Sequence, residues 1–181
     1  MRYDKIIKLK DGRLCNIKNP EVCDAAEMVR NFNLTHEETD FLASYVEKKH
    51  VTIDEETAFI EAQNRSDRNI QLCAYINHHI VGMAGISQIK NSIKMGHRAT
   101  YGIGIEREYW GLGLGEALTK SCIECAKSAG YLQLELEVVA DNTSAINLYK
   151  KMGFEEIGRN PMGFRTKGGI WQELLSMRLE L

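Results

Sequence analysis

The sequence predicts an α/β domain built on a twisted, mixed and mostly antiparallel sheet, with one parallel strand–helix–strand unit at its centre and helices on its flanks. Three observations predict it. The first third of the 181-residue chain is patterned mainly for helices, and from Ile70 the texture changes to strands. Residues 97–139 then read as strand, glycine turn, helix and strand, a run that makes a parallel crossover, expected to be right-handed. Late strand onset argues against a doubly wound dinucleotide-binding domain.

Bulk properties set the outer limits. A composition 44% hydrophobic and 27% charged excludes disorder, and the length suits one domain over residues 1–181. A net charge of -2 with no dense Lys/Arg stripe gives no reason to expect nucleic acid. No apolar stretch approaches the roughly 20 residues that span a bilayer. The polar start Met1-Arg2-Tyr3-Asp4-Lys5 leads into no signal-peptide core. Five cysteines, an odd number, suit a reducing compartment, so a cytoplasmic protein is expected.

In chain order, Asp11-Gly12 introduces a short strand over 13–18. Glu21–Phe32 reads as a helix with Val22, Ala25, Ala26, Val29 and Phe32 on one face. Thr35-His36-Glu37-Glu38 has the form of a capping box opening a second helix that carries Phe41, Leu42, Tyr45 and Val46. Thr52-Ile53-Asp54-Glu55 repeats that form before a third helix ending near Arg65. Strands 70–76 and 80–89 flank the turn Asn77-His78-His79. The paired histidines lack further spaced ligands, which favours a plain turn over a metal site.

The strand 97–106 sets Tyr101, Ile103 and Ile105 against Gly102 and Gly104. Two glycines on one face leave room for another backbone or a ligand, or for tight helix packing. A helix from about Gly113 to Ala129 and the strand Leu132–Val139 follow, the latter setting Leu132, Leu134, Leu136 and Val138 against Gln133, Glu135, Glu137 and Val139. Asn142 caps a helix reaching Met152, Gly153 ends it, and strands near 154–159 and 171–180 close the chain.

The residues most suited to chemistry are Tyr109-Trp110-Gly111-Leu112-Gly113-Leu114-Gly115-Glu116, between a strand and a helix. Successive glycines let backbone amides converge, and the helix N-terminus adds partial positive charge, so a phosphate can bind without a basic side chain. No Lys-Ser/Thr follows Gly115, which excludes a Walker A loop, and the glycine spacing misfits a dinucleotide fingerprint. Cys122 and Cys125 lie on the apolar stripe of the helix rather than at its N-terminus, which favours packing over redox chemistry.

Over Ile103–Gly158 the chain resembles the GCN5-related N-acetyltransferase (GNAT) superfamily. The glycine loop is followed in register by Leu136-Glu137-Val138, Asn142, Ala145, Tyr149 and Met152-Gly153-Phe154. The Tyr-Trp-Gly loop and the strand opening at His97 look most like the ribosomal-protein-type branch. Trp110 stands where the family usually has Gln or Arg. The resemblance implies a sheet whose two central parallel strands splay to admit acetyl-CoA, and direct transfer of its acetyl group to a primary amine, with no metal.

Carried over residue by residue, the resemblance implies that the main chain of Ile103, Gly104 and Ile105 pairs with the pantetheine arm. Amides of Gly111, Leu112, Gly113, Leu114, Gly115 and Glu116 hold the pyrophosphate, and Asn142 bonds to the carrier. Glu137 is the implied base and Tyr149 the implied acid, set against the plain readings of a polar sheet position and a core tyrosine. An ammonium with pKa near ~10.4 must lose a proton before attack, and a phenol near ~10 can protonate a leaving thiolate. The acceptor is open among a protein N-terminus, a polyamine, an amino acid and another small amine. Glu37, Glu38, His97, Arg98, Arg159, Arg165 and Trp171 are candidates to shape its pocket. A non-catalytic acyl-CoA sensor on the same fold is the alternative, and a homodimer is left open.

Overall fold

The computed structural model describes residues 2–45, 51–90 and 92–181. Its strands are β1 (Asp4–Lys8), β2 (Leu14–Lys18), β3 (Ile70–Ile76), β4 (His79–Gln88), β5 (Arg98–Ile105), β6 (Gln133–Val139), β7 (Glu155–Arg165) and β8 (Trp171–Glu180). The helices are α1 (Ala25–Glu38), α2 (Ile53–Arg65), α3 (Leu114–Ser128) and α4 (Thr143–Lys151). All strands join one sheet in the order β1-β2-β3-β4-β5-β6-β8-β7. Every neighbouring pair is antiparallel except β5 and β6, the parallel pair around α3.

Alternation along β3 shows how the layers are built. Leu72 and Ala74 join the core formed with Leu114, Leu118, Cys122 and Cys125 of α3. Cys73, one residue out of phase, packs instead with Ala25 and Met28 of α1 and Ile60 of α2. Successive strand residues point to opposite faces, so the two clusters sit on the two sides of the sheet.

Several elements differ from the sequence reading. α1 runs unbroken to Glu38, and no helix opens at Thr35. Thr35 is 3% exposed, and its hydroxyl donates back to the carbonyls of Asn31 and Phe32 at 2.8 and 3.1 Å. A threonine bonded backward in this way is a mid-helix residue rather than a cap. Phe41, Leu42 and Tyr45 lie outside any helix, and Val46 lies outside the described residues.

The buried side of α1 is Ala25, Met28, Asn31 and Thr35 rather than the Val22–Phe32 stripe, because two of its positions are polar and packed against polar partners. β1 adds an early strand with no sequence warning, so strands do not wait for residue 70. Leu132 is 63% exposed and precedes β6, since its amide turns to bond the His97 carbonyl at 2.9 Å. Val139, assigned to the polar side of β6, is buried. The second capping box is as expected, with Thr52 and Glu55 each bonding the other's backbone amide.

Candidate active site

The parallel pairing of β5 and β6 is short. Residues 98–100 pair with 133–135, and beyond Thr100 and Glu135 neither strand pairs with the other. β5 stays hydrogen-bonded to β4 as far as Ile105, and β6 to β8 as far as Val139. The strands therefore part after their first three residues. The main chain of Ile103, Gly104 and Ile105 has one edge on β4 and one edge on this gap, as an added extended chain requires.

The glycine loop stands at the head of the gap. Gly111 and Gly113 have φ of 75° and 89°, in the left-handed region that a side chain resists. Their conformation aims the chain so that no amide from Gly111 to Glu116 donates to an acceptor among the described residues. Ala117 is the first to do so, to the Gly113 carbonyl at 3.1 Å. These are the free donors of a helix N-terminus. Gly115 has a different cause: a Cβ there would sit 3.1 Å from Leu148 Cδ2, so the glycine lets α3 approach α4.

Three side chains hold the loop. The Trp110 indole Nε1 donates to the Ile105 carbonyl at 2.8 Å, with the Arg107 guanidinium 5.6 Å from its ring centre. Glu106, 7% exposed, accepts from Arg30 at 2.9 Å and Asn31 at 2.8 Å, fastening the end of β5 to α1. The same two donors reach the Ile80 carbonyl, where β4 skips a residue against β3. Glu38, at the end of α1, accepts from the Arg107 amide at 2.7 Å. Sequence reasoning missed this clamp; a lone Glu following the apolar run Ile103–Ile105 was its only signal.

Glu116 accepts from Lys120 and Lys151 at 2.7 and 2.6 Å, which pulls its carboxyl down to about 2. Asn142 caps α4 through its side-chain oxygen, which accepts from Ala145 N at 3.2 Å. Its Nδ2 makes no hydrogen bond among the described residues.

Tyr149 is 7% exposed, with its ring edge-on to Tyr101 at 6.2 Å and beside Phe154 at 5.8 Å. Burial alone pushes its phenol up to about 12, and its hydroxyl has no hydrogen-bond partner among the described residues. Tyr101 points to α3, where its hydroxyl lies 3.0 Å from Thr119, so Tyr149 lies on the α3 side. Glu137 is exposed on β6 opposite Ser176. Two residues past Glu135, the partner of Thr100, it shares the face of Gly102. Glu137 and Tyr149 thus approach the gap from opposite faces of the sheet.

On that second face lies a cavity of about 400 Å³ between α1 and the sheet. Phe32, Thr35, His36 and Leu42 cover it, and Gly85, Gly102 and Gly104 contribute to its floor. None of the seven candidates for the acceptor pocket lines it. Arg98 is bonded to Glu135 at 2.5 Å, Arg159 to Glu156 at 2.5 Å, and Arg165 lies over the Trp171 ring.

Asn77 and His78, with φ of 49° and 69°, form the turn itself, and no three metal-ligating side chains converge among the described residues. Cys122 and Cys125 are buried, and burial raises both thiols, Cys125 to about 11. Thiols so held are packing groups. No helix among the described residues is long and apolar enough to cross a membrane.

The sequence profile of the Acetyltransferase (GNAT) family matches residues 32–154. An N-alpha-acetyltransferase of Sulfurisphaera tokodaii is 29% identical over 150 residues, covering 82% of this chain and 84% of the relative. A GNAT-family acetyltransferase from Streptococcus pneumoniae superposes with a TM-score of 0.89 at 31% identity, covering 92% of this chain and 99% of that one. The fold also matches yncA from Salmonella typhimurium, described with its cofactor acetyl-CoA, at a TM-score of 0.82 and 21% identity over 92% of this chain and 94% of that one. The chain belongs to the GNAT acetyltransferase family and is an acetyl-CoA-dependent N-acetyltransferase.

Proposed function

We propose that residues 1–181 act as one acetyltransferase domain that binds acetyl-CoA in the gap between β5 and β6 and acetylates an α-amino group. The observation that carries this reading is the coincidence of free loop amides, an unpaired β5 edge and a buried phenol at one gap. When bound, acetyl-CoA supplies the thioester carbonyl that the amine attacks.

In this reading the Gly111–Glu116 amides hold the pyrophosphate and the Asn142 amide group bonds the carrier. The edge of Ile103, Gly104 and Ile105 pairs with the pantetheine arm and orients the thioester. Gly102, whose absent Cβ would meet nothing within 4 Å, leaves the wall open beside it. Glu137, directly or through a water, takes a proton from the attacking nitrogen as the new C–N bond forms. Tyr149 then stabilises the sulfur as the C–S bond breaks. With its phenol at about 12 and a free thiol near ~8.5, complete transfer costs about 5 kcal/mol. Tyr149 therefore acts first as a hydrogen-bond donor to charge growing on sulfur. The phenol keeps its proton, and the departing thiolate and the protonated Glu137 both equilibrate with solvent.

An N-alpha-acetyltransferase among the relatives supports an α-amine as acceptor. The test is thiol release from acetyl-CoA with a panel of amines, repeated with Tyr149→Phe. Turnover that needs Tyr149 supports the reading. Binding of acetyl-CoA without turnover on any amine supports a sensor instead.

A further inference from the structure

The turn between β1 and β2 is fastened to the glycine loop. The Lys10 amide donates to the Leu112 carbonyl at 3.1 Å. Arg13, just past the turn, holds its guanidinium 4.7 Å from the centre of the Tyr109 ring and 3.5 Å from Glu108. The side chain of Lys10 runs along Gly113, the N-cap of α3. A Cβ added to that glycine would sit 3.9 Å from both Cγ and Cε of the lysine. The ammonium, one bond beyond Cε, is therefore held at the positive end of α3.

A cation at a helix N-terminus is unfavourable unless an anion lies between them. Lys10 is exposed and has no ion-pair partner among the described residues, and the carboxylates of the turn and loop are engaged elsewhere. Asp11 and Glu108 pair with Arg13, Glu106 with Arg30, and Glu116 with Lys120 and Lys151. A cavity of about 280 Å³ opens beside Lys10, between β1 and the first turns of α3. Of its other lysines, Lys5 and Lys120 are bound to Glu124 and Glu116. Lys8 alternates with Ile7, which packs on the core under α3. Lys10 is thus an uncompensated positive charge beside amides that already favour a phosphate.

Resting on the placement of acetyl-CoA in the gap, we propose that Lys10 binds the phosphates of the carrier, supplying from the β1–β2 turn the cation that the loop lacks. The Trp110 side chain at the head of the loop is engaged with the Ile105 carbonyl, so the loop itself offers main chain alone. Coenzyme A carries this chemistry twice, in its pyrophosphate and in its 3′-phosphate, and the test separates the two.

Binding would be measured by calorimetry with CoA and with 3′-dephospho-CoA, in low and in high salt, for the wild type, Lys10→Gln and Lys10→Arg. Binding needs no turnover, so the result does not depend on the acceptor. Lys10→Gln should weaken CoA about three- to fivefold in low salt, with most of that loss gone in high salt. Lys10→Arg keeps the charge and should bind within about twofold of the wild type. Without ligand, Lys10→Gln should melt no lower than the wild type, because the lysine stabilises nothing in the empty protein. A loss shared by both ligands would place Lys10 on the pyrophosphate, and a loss confined to CoA would place it on the 3′-phosphate. Unchanged affinity, or an equal loss in high salt, would overturn the proposal. If the wild type binds neither ligand, the placement of acetyl-CoA in the gap falls, and this proposal with it.

Discussion

The indole Nε1 of Trp110 donates to the carbonyl of Ile105 across 2.8 Å. The family usually has Gln or Arg at this place, a polar side chain at the head of the phosphate loop. Here the side chain turns back and fixes the last residue of β5, whose edge borders the gap. It holds the strand end and loop in one geometry, and in the proposed reading the loop's phosphate contacts fall to the main chain. Trp110→Phe keeps most of the ring but loses the donor, worth about 1 kcal/mol. The expected result is an acetyl-CoA KM raised about fivefold, with kcat little changed in steady-state assays. An equal fall in kcat would mean that the ring meets the reacting groups.

Tyr149 makes a prediction with a definite sign. Burial raises its phenol to about 12, so it stays protonated throughout the neutral and moderately alkaline range. Its neutral form favours the fold below the unfolded value near ~10, and that contribution disappears as pH rises through about 12. The kcat–pH profile should therefore show no alkaline limb from Tyr149 below pH ~10. Tyr149→Phe should lower kcat by about 100-fold or more with acetyl-CoA binding intact by calorimetry. An alkaline limb below that pH, present in the wild type and abolished in the variant, would contradict the assignment.

Glu116 responds at the other end of the scale. Hydrogen bonds from Lys120 and Lys151 hold its carboxyl at about 2, well below the ordinary carboxylate value. A depressed carboxyl stabilises the fold above its unfolded pKa of about 4.3. That contribution is lost as pH falls from there through about 2. Melting curves at pH 6 and pH 3 should show a smaller acid loss for Glu116→Gln than for the wild type. The pair is solvent-screened, so the difference should shrink in high salt. The same substitution frees two lysines beside the loop, and the acetyl-CoA KM should fall about twofold at low salt.

The elements of the candidate site were the most legible in the sequence, and the reason is local. Gly111 and Gly113 are glycine because their φ is positive, and Asn142 is a cap because its oxygen meets the Ala145 amide. Such constraints leave a mark at fixed spacing. The buried side of α1 was misread because Asn31 and Thr35 hide among polar residues, and only tertiary partners show why they face inward. Thr35-His36-Glu37-Glu38 satisfies the capping-box pattern, yet α1 was already formed and the hydroxyl bonded backward. The cavity was illegible for a further reason. Gly85 faces Gly102 only through strand register, and no spacing along the chain reveals a pairing across it.

Glu106 supplies the strongest test of how the gap is held open. Its carboxylate accepts from Arg30 and Asn31 at 2.9 and 2.8 Å, while its amide donates to the Val81 carbonyl at 3.1 Å. The side chain is 10% exposed and that of Arg30 39%, so the pair is partly shielded from water. Glu106→Ala removes the acceptor, leaving the buried Asn31 amide with only the Ile80 carbonyl, and Arg30 with that carbonyl and Glu27. Stranding them should cost about 2 kcal/mol, or a fall in melting temperature of about 4–8 °C for a chain of this size. Because the clamp ties α1 to the end of β5, its loss should also raise the acetyl-CoA KM. Arg30→Ala should cost less, since Asn31 still reaches Glu106. The double variant should be less destabilised than the two single effects added, because both remove the same contact. Strict additivity in chemical denaturation would show that Arg30 and Glu106 act independently.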